Sequence, residues 1–282
     1  TPLTQEMIMH IPQLSDYRED LLPITAIHGS ASTGSLWRRL ATLSTARRAV
    51  FAPDLTGYGA DNTPEPDTLS TLEERAWPII AAIEQSGRPT HLVAHSFGGS
   101  VALEVVARIP HQIKSLTLFE PVSPALLRGT DQAEDLRLLG DILGLSEIVQ
   151  RTSGAVGMES FINFWHEADA WSRLSDTARA KLARLAPVVC QDFRETYSVE
   201  PHVLSAISYR GPVNLLVGEQ TNAHAKRMSE ILTRQFPQAS LVTLAGMGHM
   251  GPLTHSEIVG NAILEVIERV ESEAQLVRLA AS

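Results

Sequence analysis

Six short apolar runs, at 22–27, 49–52, 91–95, 115–119, 213–217 and 240–244, recur along this chain without polar alternation. That pattern suits parallel strands buried on both faces, since a half-exposed sheet would show apolar and polar residues in turn. Amphipathic stretches of helical length lie between them, at 35–45, 69–86, 98–108, 222–235 and 256–271. The last reads most clearly: Ile258, Ala262, Leu264, Ile267 and Val270 recur near period 3.6 behind Ser256 as a cap. Strands alternating with helices predict a mostly parallel sheet covered on both faces. A length of 282 residues fits two domains, or one large α/β domain with an insertion.

One region breaks the alternation. From 123 to 208 no strand-like run appears, and amphipathic helical stretches follow one another. This predicts a helical cap over 123–208, with 1–122 and 209–282 forming the core domain. Phe161, Phe164, Trp165 and Trp171 concentrate in its centre. They either fasten the insertion to the sheet or line an apolar pocket over an active site, and the two roles are compatible. Phe161 and Trp165, together with His28 and Gly29 just after the first apolar run, are the expected substrate-binding residues.

Composition excludes several classes. The formal net charge is −9 and no Lys/Arg cluster offers a nucleic-acid footprint, so nucleic acid is not an expected partner. A single cysteine, Cys190, rules out an intramolecular disulfide and a cysteine metal cage. No apolar run approaches the ~20 residues that span a bilayer, and residues 1–20 lack a signal-peptide layout. The cytoplasm is the expected compartment.

Chemistry concentrates at three loops. In His91–Leu–Val–Ala–His–Ser96–Phe–Gly98–Gly–Ser an apolar run passes through a tight turn into a helix. A serine hydroxyl is inert without help, and a sharp strand-to-helix turn lifts its oxygen above the sheet beside a helix N-terminus. Small residues are needed two before and two after it; Ala94 and Gly98 meet that need. Ser96 is therefore the candidate nucleophile, against the plainer reading of a helix cap. Charge developing on the attacked carbonyl oxygen needs aimed backbone N–H groups. Phe97 supplies one, and Ser30, in the turn His28–Gly29–Ser30 after the first run, is the candidate for the other. Gly29 lets that backbone approach a substrate, and His28 is expected to hold the loop by hydrogen bonds rather than serve as base. Of ten histidines, His249 lies between the last strand and the last helix, at the sheet edge that carries Ser96. An imidazole there can take the serine proton and return it to the leaving group. His95 is expected to point away along the turn. His111, His166, His202 and His224 read as surface or cap residues.

Taken in order, His28–Gly29, Asp54–Leu–Thr–Gly57–Tyr–Gly59, Ala94–His–Ser96–Phe–Gly98 and Gly248–His249 resemble the α/β-hydrolase superfamily over nearly the full length. The resemblance implies an eight-stranded, mostly parallel sheet flanked by helices, with a helical cap inserted after the sixth strand. The loop from His28 to Arg38 also resembles that of haloalkane dehalogenases, but those enzymes carry an aspartate nucleophile where this chain has Ser96. Most relatives place the triad acid in a segment resembling G-x-x-D after the penultimate strand. Here Gly218–Glu219–Gln220–Thr221 puts a threonine there. Some members have a glutamate at the end of the preceding strand instead, which implies Glu120, followed by Pro121. Glu219, or an acid elsewhere, is the alternative.

These residues imply hydrolysis of a carboxylic ester or related acyl bond of a small apolar substrate through an acyl-enzyme, with no metal or organic cofactor. Cleavage of a C–C bond or thioester, acyl transfer and a lyase reaction use the same triad. A binding protein of this fold that lost turnover is the reading from another class, and Thr221 is the feature that invites it.

Overall fold

The structure is a computed structural model, and it describes residues 21–44, 48–59 and 71–281. Its sheet has six strands: β1 (Ile24–Ile27), β2 (Val50–Phe51), β3 (Thr90–His95), β4 (Ile113–Phe119), β5 (Val213–Gly218) and β6 (Ala239–Leu244). They lie in the order β2-β1-β3-β4-β5-β6, and every neighbouring pair is parallel. The resemblance implies eight strands. The described chain from 121 to 208 and beyond 251 folds into helices and loops, and residues 1–20 lie outside the described residues.

The central strands β1, β3, β4 and β5 are buried on both faces because each face meets a helical layer, whereas the edge strand β6, expected to be buried as well, exposes Leu241 and Val242. Ile24, Ala26, Val93, Phe119 and Leu216 pack against Trp37 and Leu40 and against Val259, Ile263 and Ile267. These partners belong to the 3-10 turn Gly34–Trp37, to α1 (Arg38–Ser44) and to the final helix, Ser256–Ala281. Strand residues of the other parity, among them Ile27, Leu92, Ala94, Leu116, Leu118 and Leu215, join the opposite cluster. That layer holds α2 (Leu72–Ser86) and α3 (Phe97–Arg108). Each buried aliphatic side chain contributes about 1.5–3 kcal/mol of transfer free energy, so the sheet is the rigid base on which the strand-end loops stand. The expected helix over 35–45 divides into the 3-10 turn and α1, and the expected one over 69–86 begins at Leu72 behind a Thr71/Glu74 capping box.

Between β4 and β5 come only helices: α4 (Ala125–Arg128), α5 (Ala133–Arg151), α6 (Gly154–Trp165), α7 (Asp176–Ala183), α8 (Ala186–Ser198) and α9 (Pro201–Ser205). Their buried residues Leu138, Ile142, Met158, Phe161, Val189 and Phe193 are continuous with the core on the α3 side of the sheet. After β5 follow α10 (Ala223–Gln235), which Asn222 caps through Ala225 N–H, then β6, α11 (Gly251–Thr254) and α12 (Ser256–Ala281). No helix of the described residues is long and apolar enough to cross a membrane.

The strand order fixes where a ligand can bind. The chain moves from β1 outward to β2 and then returns to β3 on the other side of β1. Loops leaving the carboxyl ends of β1 and β3 therefore diverge and leave a crevice, the usual ligand position in open α/β sheets. His28–Ser30 leaves β1 there, and Ser96 leaves β3.

Candidate active site

Ser96 sits between the last residue of β3 and the first of α3 with φ 55° and ψ −126°. A non-glycine residue held at such angles costs about 1–3 kcal/mol and persists only where its surroundings hold it. Here they do: its N–H donates to Phe119 O (3.2 Å), and its carbonyl accepts from Gly99 N–H (2.8 Å) and Val122 N–H (3.0 Å). The turn is tight enough to exclude larger neighbours. A Cβ on Gly98 would overlap His28 O, and one on Gly29 would lie 2.8 Å from Ser96 Cβ.

His249 reaches the serine from the loop after β6. Its Nε2 lies 3.0 Å from Ser96 Oγ and its Nδ1 lies 2.7 Å from Glu120 Oε2. A carboxylate only accepts, so Nδ1 carries the proton and Nε2 offers a lone pair to the serine hydroxyl. Glu120 is fully buried and takes φ 45° at the end of β4. Its N–H donates to Leu216 O (3.0 Å), while Oε1 accepts from Gly218 N–H (2.7 Å) and Oε2 from Thr221 Oγ1 (2.6 Å). Glu219 is exposed and receives Gly246 N–H at 3.0 Å. Of the two candidate acids, Glu120 is the one beside His249.

His28 is buried, and both ring nitrogens are taken by backbone: Leu55 N–H donates to Nε2 (2.9 Å), and Nδ1–H donates to Gly29 O (2.7 Å). Burial pushes its pKa down to about 4. Expected beside Gly29 at the substrate, His28 instead presents no free polar atom to it; the ring ties the loop after β1 to the loop after β2. Ser30 and Phe97 both line the pocket at Ser96, and Phe161 and Trp165 line it from α6. The Ser30 hydroxyl is committed to Asp192 Oδ2 (2.5 Å). The Trp165 ring lies 4.9 Å from the His249 ring at 34°, and Phe161 meets Phe193 edge to face.

Sequence reasoning misses several residues of the site. His95 does not merely point away: its Nε2 bonds the His249 carbonyl oxygen (2.9 Å) and its ring packs 4.9 Å from that of His249. Burial, then the neighbouring His249, hold His95 well below the usual histidine range. His166 caps α6 as expected, but it also lines the pocket, and burial pushes its pKa down to about 4. Asp192, on α8, is the centre of a buried polar cluster. Its Oδ2 accepts from Ser30 and from the Tyr58 hydroxyl, and its Oδ1 from Arg75 (2.9 Å), whose Nε also meets Glu195 (3.0 Å). One guanidinium cannot neutralise two buried carboxylates, and burial pushes Asp192 up to about 7. This cluster links α8, α2 and the loops after β1 and β2, so the helical segment holds the Ser30 loop. Ala31, next in that loop, takes φ 55°.

A parallel sheet with a strained serine elbow at its switch point, answered by a histidine after the last strand, has the architecture of the α/β-hydrolase fold. The chain belongs to the alpha/beta hydrolase family, whose model matches residues 26–261. It is 33% identical over 99 residues to Lipase LipV of Mycobacterium tuberculosis, covering 35% of this chain and 36% of that one. It is 29% identical over 113 residues to a haloalkane dehalogenase of Bradyrhizobium diazoefficiens, covering 38% of this chain and 36% of the relative. The matched segments thus span little more than a third of either relative. Among solved structures, a thermophilic esterase from Thermogutta terrifontis superposes with a TM-score of 0.67 at 22% identity, covering 88% of this chain and 90% of that one. That likeness is one of fold.

Proposed function

We propose that the protein is a serine hydrolase that cleaves a carboxylic ester, or a related acyl bond, of a small apolar substrate. One observation carries this reading: Ser96 Oγ, His249 and Glu120 form an unbroken hydrogen-bonded chain of 3.0 and 2.7 Å that opens on an apolar pocket. Ser96 Oγ attacks the carbonyl carbon as its proton passes to His249 Nε2. The oxyanion is met by the N–H groups of Phe97 and Ser30. The bond to the leaving oxygen then breaks, and that oxygen takes the proton from His249. Water, deprotonated by His249, attacks the acyl-enzyme, and the acid departs as Ser96 recovers its proton. Glu120 keeps Nδ1 protonated and stabilises the imidazolium. Residues 123–208 act as a cap on a core formed by the described residues of 21–122 and 209–281, and Phe161 and Trp165 contribute its apolar wall.

The nucleophile separates acyl transfer from dehalogenation. Dehalogenation requires a carboxylate that forms an alkyl ester, and a serine in that place favours acyl chemistry. The binding-protein reading drew its support from Thr221; a threonine that donates to Glu120 supports an intact triad instead. A panel of p-nitrophenyl esters, a thioester and a vinylogous diketone tests the reaction class. Turnover of the esters that is lost in Ser96→Ala is the expected result. Selective turnover of the diketone would move the assignment to C–C bond hydrolysis, and a folded protein inert to all three classes would move it to a binding protein.

A further inference from the structure

Two pockets open from Ser96, and they differ in size and in what walls them. The smaller passes Phe97 and runs between Val122, Val189, Phe193 and Thr196. The larger carries His249, His95 and Met250 and extends to Leu174, Leu182 and Leu253. Phe161 and Trp165 stand on the divide and line both. Among the described residues, His249 lines the second pocket and not the first.

The proton that the leaving group needs separates their roles. When an ester transfers its acyl group, the bond between the carbonyl carbon and the leaving oxygen breaks. The electron pair stays on that oxygen, which then takes the proton from His249 Nε2. The alcohol half must therefore lie on the His249 side of Ser96 Oγ. The acyl half remains bonded to Oγ and extends to the other side. We infer that the narrow pocket takes the acyl chain and the wide one the alcohol, so the preferred substrate is an ester of a short apolar acid with a bulky apolar alcohol. This rests on the serine-hydrolase reading above.

The walls support the same division. Val122, Val189 and Phe193 are buried members of the main core. A close-packed interior resists widening, because each displaced side chain must overlap a neighbour. The polar groups around this pocket are already engaged: Thr196 Oγ1 donates to the Asp192 and Phe193 carbonyls, and the Asp192 carboxylate is held by Arg75, Ser30 and Tyr58. An acyl chain that carries a negative charge would find no free side-chain donor among those groups. By contrast Leu174, Leu182 and Met250 are half-buried and Leu253 is exposed, so the wide pocket reaches the surface and can admit a longer group.

The test varies the two halves of the ester independently, with the chain intact. kcat/KM is measured for p-nitrophenyl acetate, butyrate and octanoate, and for ethyl, hexyl and naphthylmethyl acetate. The expected result is a fall of about tenfold or more from the short acyl chains to octanoate, with kcat/KM held or rising along the acetates. Val189→Ala should move the acyl preference toward longer chains and leave the alcohol series in the same order; Val122→Ala serves the same purpose if the first variant does not fold. Preference for octanoate with discrimination against bulky alcohols would overturn the inference and leave the serine-hydrolase reading intact. A Ser96 labelled by a fluorophosphonate in a protein that turns over none of these esters would overturn it as well. An unlabelled Ser96 in the folded protein would instead defeat the underlying reading.

Discussion

Thr221 donates its hydroxyl to Glu120 Oε2 over 2.6 Å, and that same oxygen lies 2.7 Å from His249 Nδ1. The carboxylate thus reaches the imidazole from the end of β4, and the threonine at the end of β5 steadies it. Glu120→Gln would present an amide that no longer stabilises the imidazolium or fixes the tautomer. kcat should fall about 10³–10⁴-fold. Glu219→Gln should stay close to the parent, because Glu219 is exposed and serves the Gly246 turn. Adding Thr221→Asp to Glu120→Gln returns a carboxylate to the neighbourhood of Nδ1 and should recover part of kcat. Steady-state kinetics of the four proteins check this; a large loss in Glu219→Gln with a small one in Glu120→Gln would reverse the assignment.

Asp192 should govern both the stability of the fold and the aim of Ser30. Asp192→Ala leaves Arg75 paired with Glu195 but empties the acceptor of the Ser30 and Tyr58 hydroxyls. A buried polar group left without its partner costs about 1–3 kcal/mol, readable as a lower urea midpoint. Asp192→Asn keeps the shape and an acceptor oxygen. It should cost less stability and should lower kcat more than it raises KM, since the Ser30 N–H matters most to the charge that appears in the transition state.

Acid should destabilise the protein through its buried neutral histidines. His28 and His166 have pKa values pushed down to about 4, and His95 is held well below the usual range. Between pH 6.5 and 4 the unfolded chain binds protons at these positions that the folded chain refuses, so stability rises with pH and is lost on acidification. A histidine whose pKa falls by one on folding costs about 1.4 kcal/mol once the pH lies below both values. Asp192, raised to about 7, acts in the opposite sense: the folded protein keeps a proton there that the unfolded chain has released. Urea midpoints measured from pH 7 to 4 should decline, and the decline should be steeper in Asp192→Asn. A flat profile in the parent protein would contradict both statements.

Much of this site is legible in sequence because its candidate catalytic groups sit at strand ends. Ser96 and His249 follow apolar runs, and small residues at 94 and 98 announce the turn. Glu120 is harder to read, since a single glutamate before Pro121 gains meaning only when Thr221 fills the usual acidic position. Asp192, Arg75, Glu195 and His166 are not legible. They lie on or at the ends of helices, where a polar residue reads as solvent-facing. Their burial depends on how α8 and α6 seat against the loops after β1 and β2, a tertiary relation that carries no local pattern. The strand count comes from the resemblance rather than from local pattern: the resemblance supplies eight, and the described residues hold six.

The most direct measurement is covalent labelling. The folded protein is treated with a fluorophosphonate, digested, and the modified residue located by mass spectrometry. Ser96 should carry the adduct in stoichiometric amount, at a rate that drops sharply in His249→Ala, and Ser96→Ala should remain unmodified. A folded protein that takes no label at Ser96, or takes it equally fast without His249, would contradict the assignment of Ser96 as an activated nucleophile.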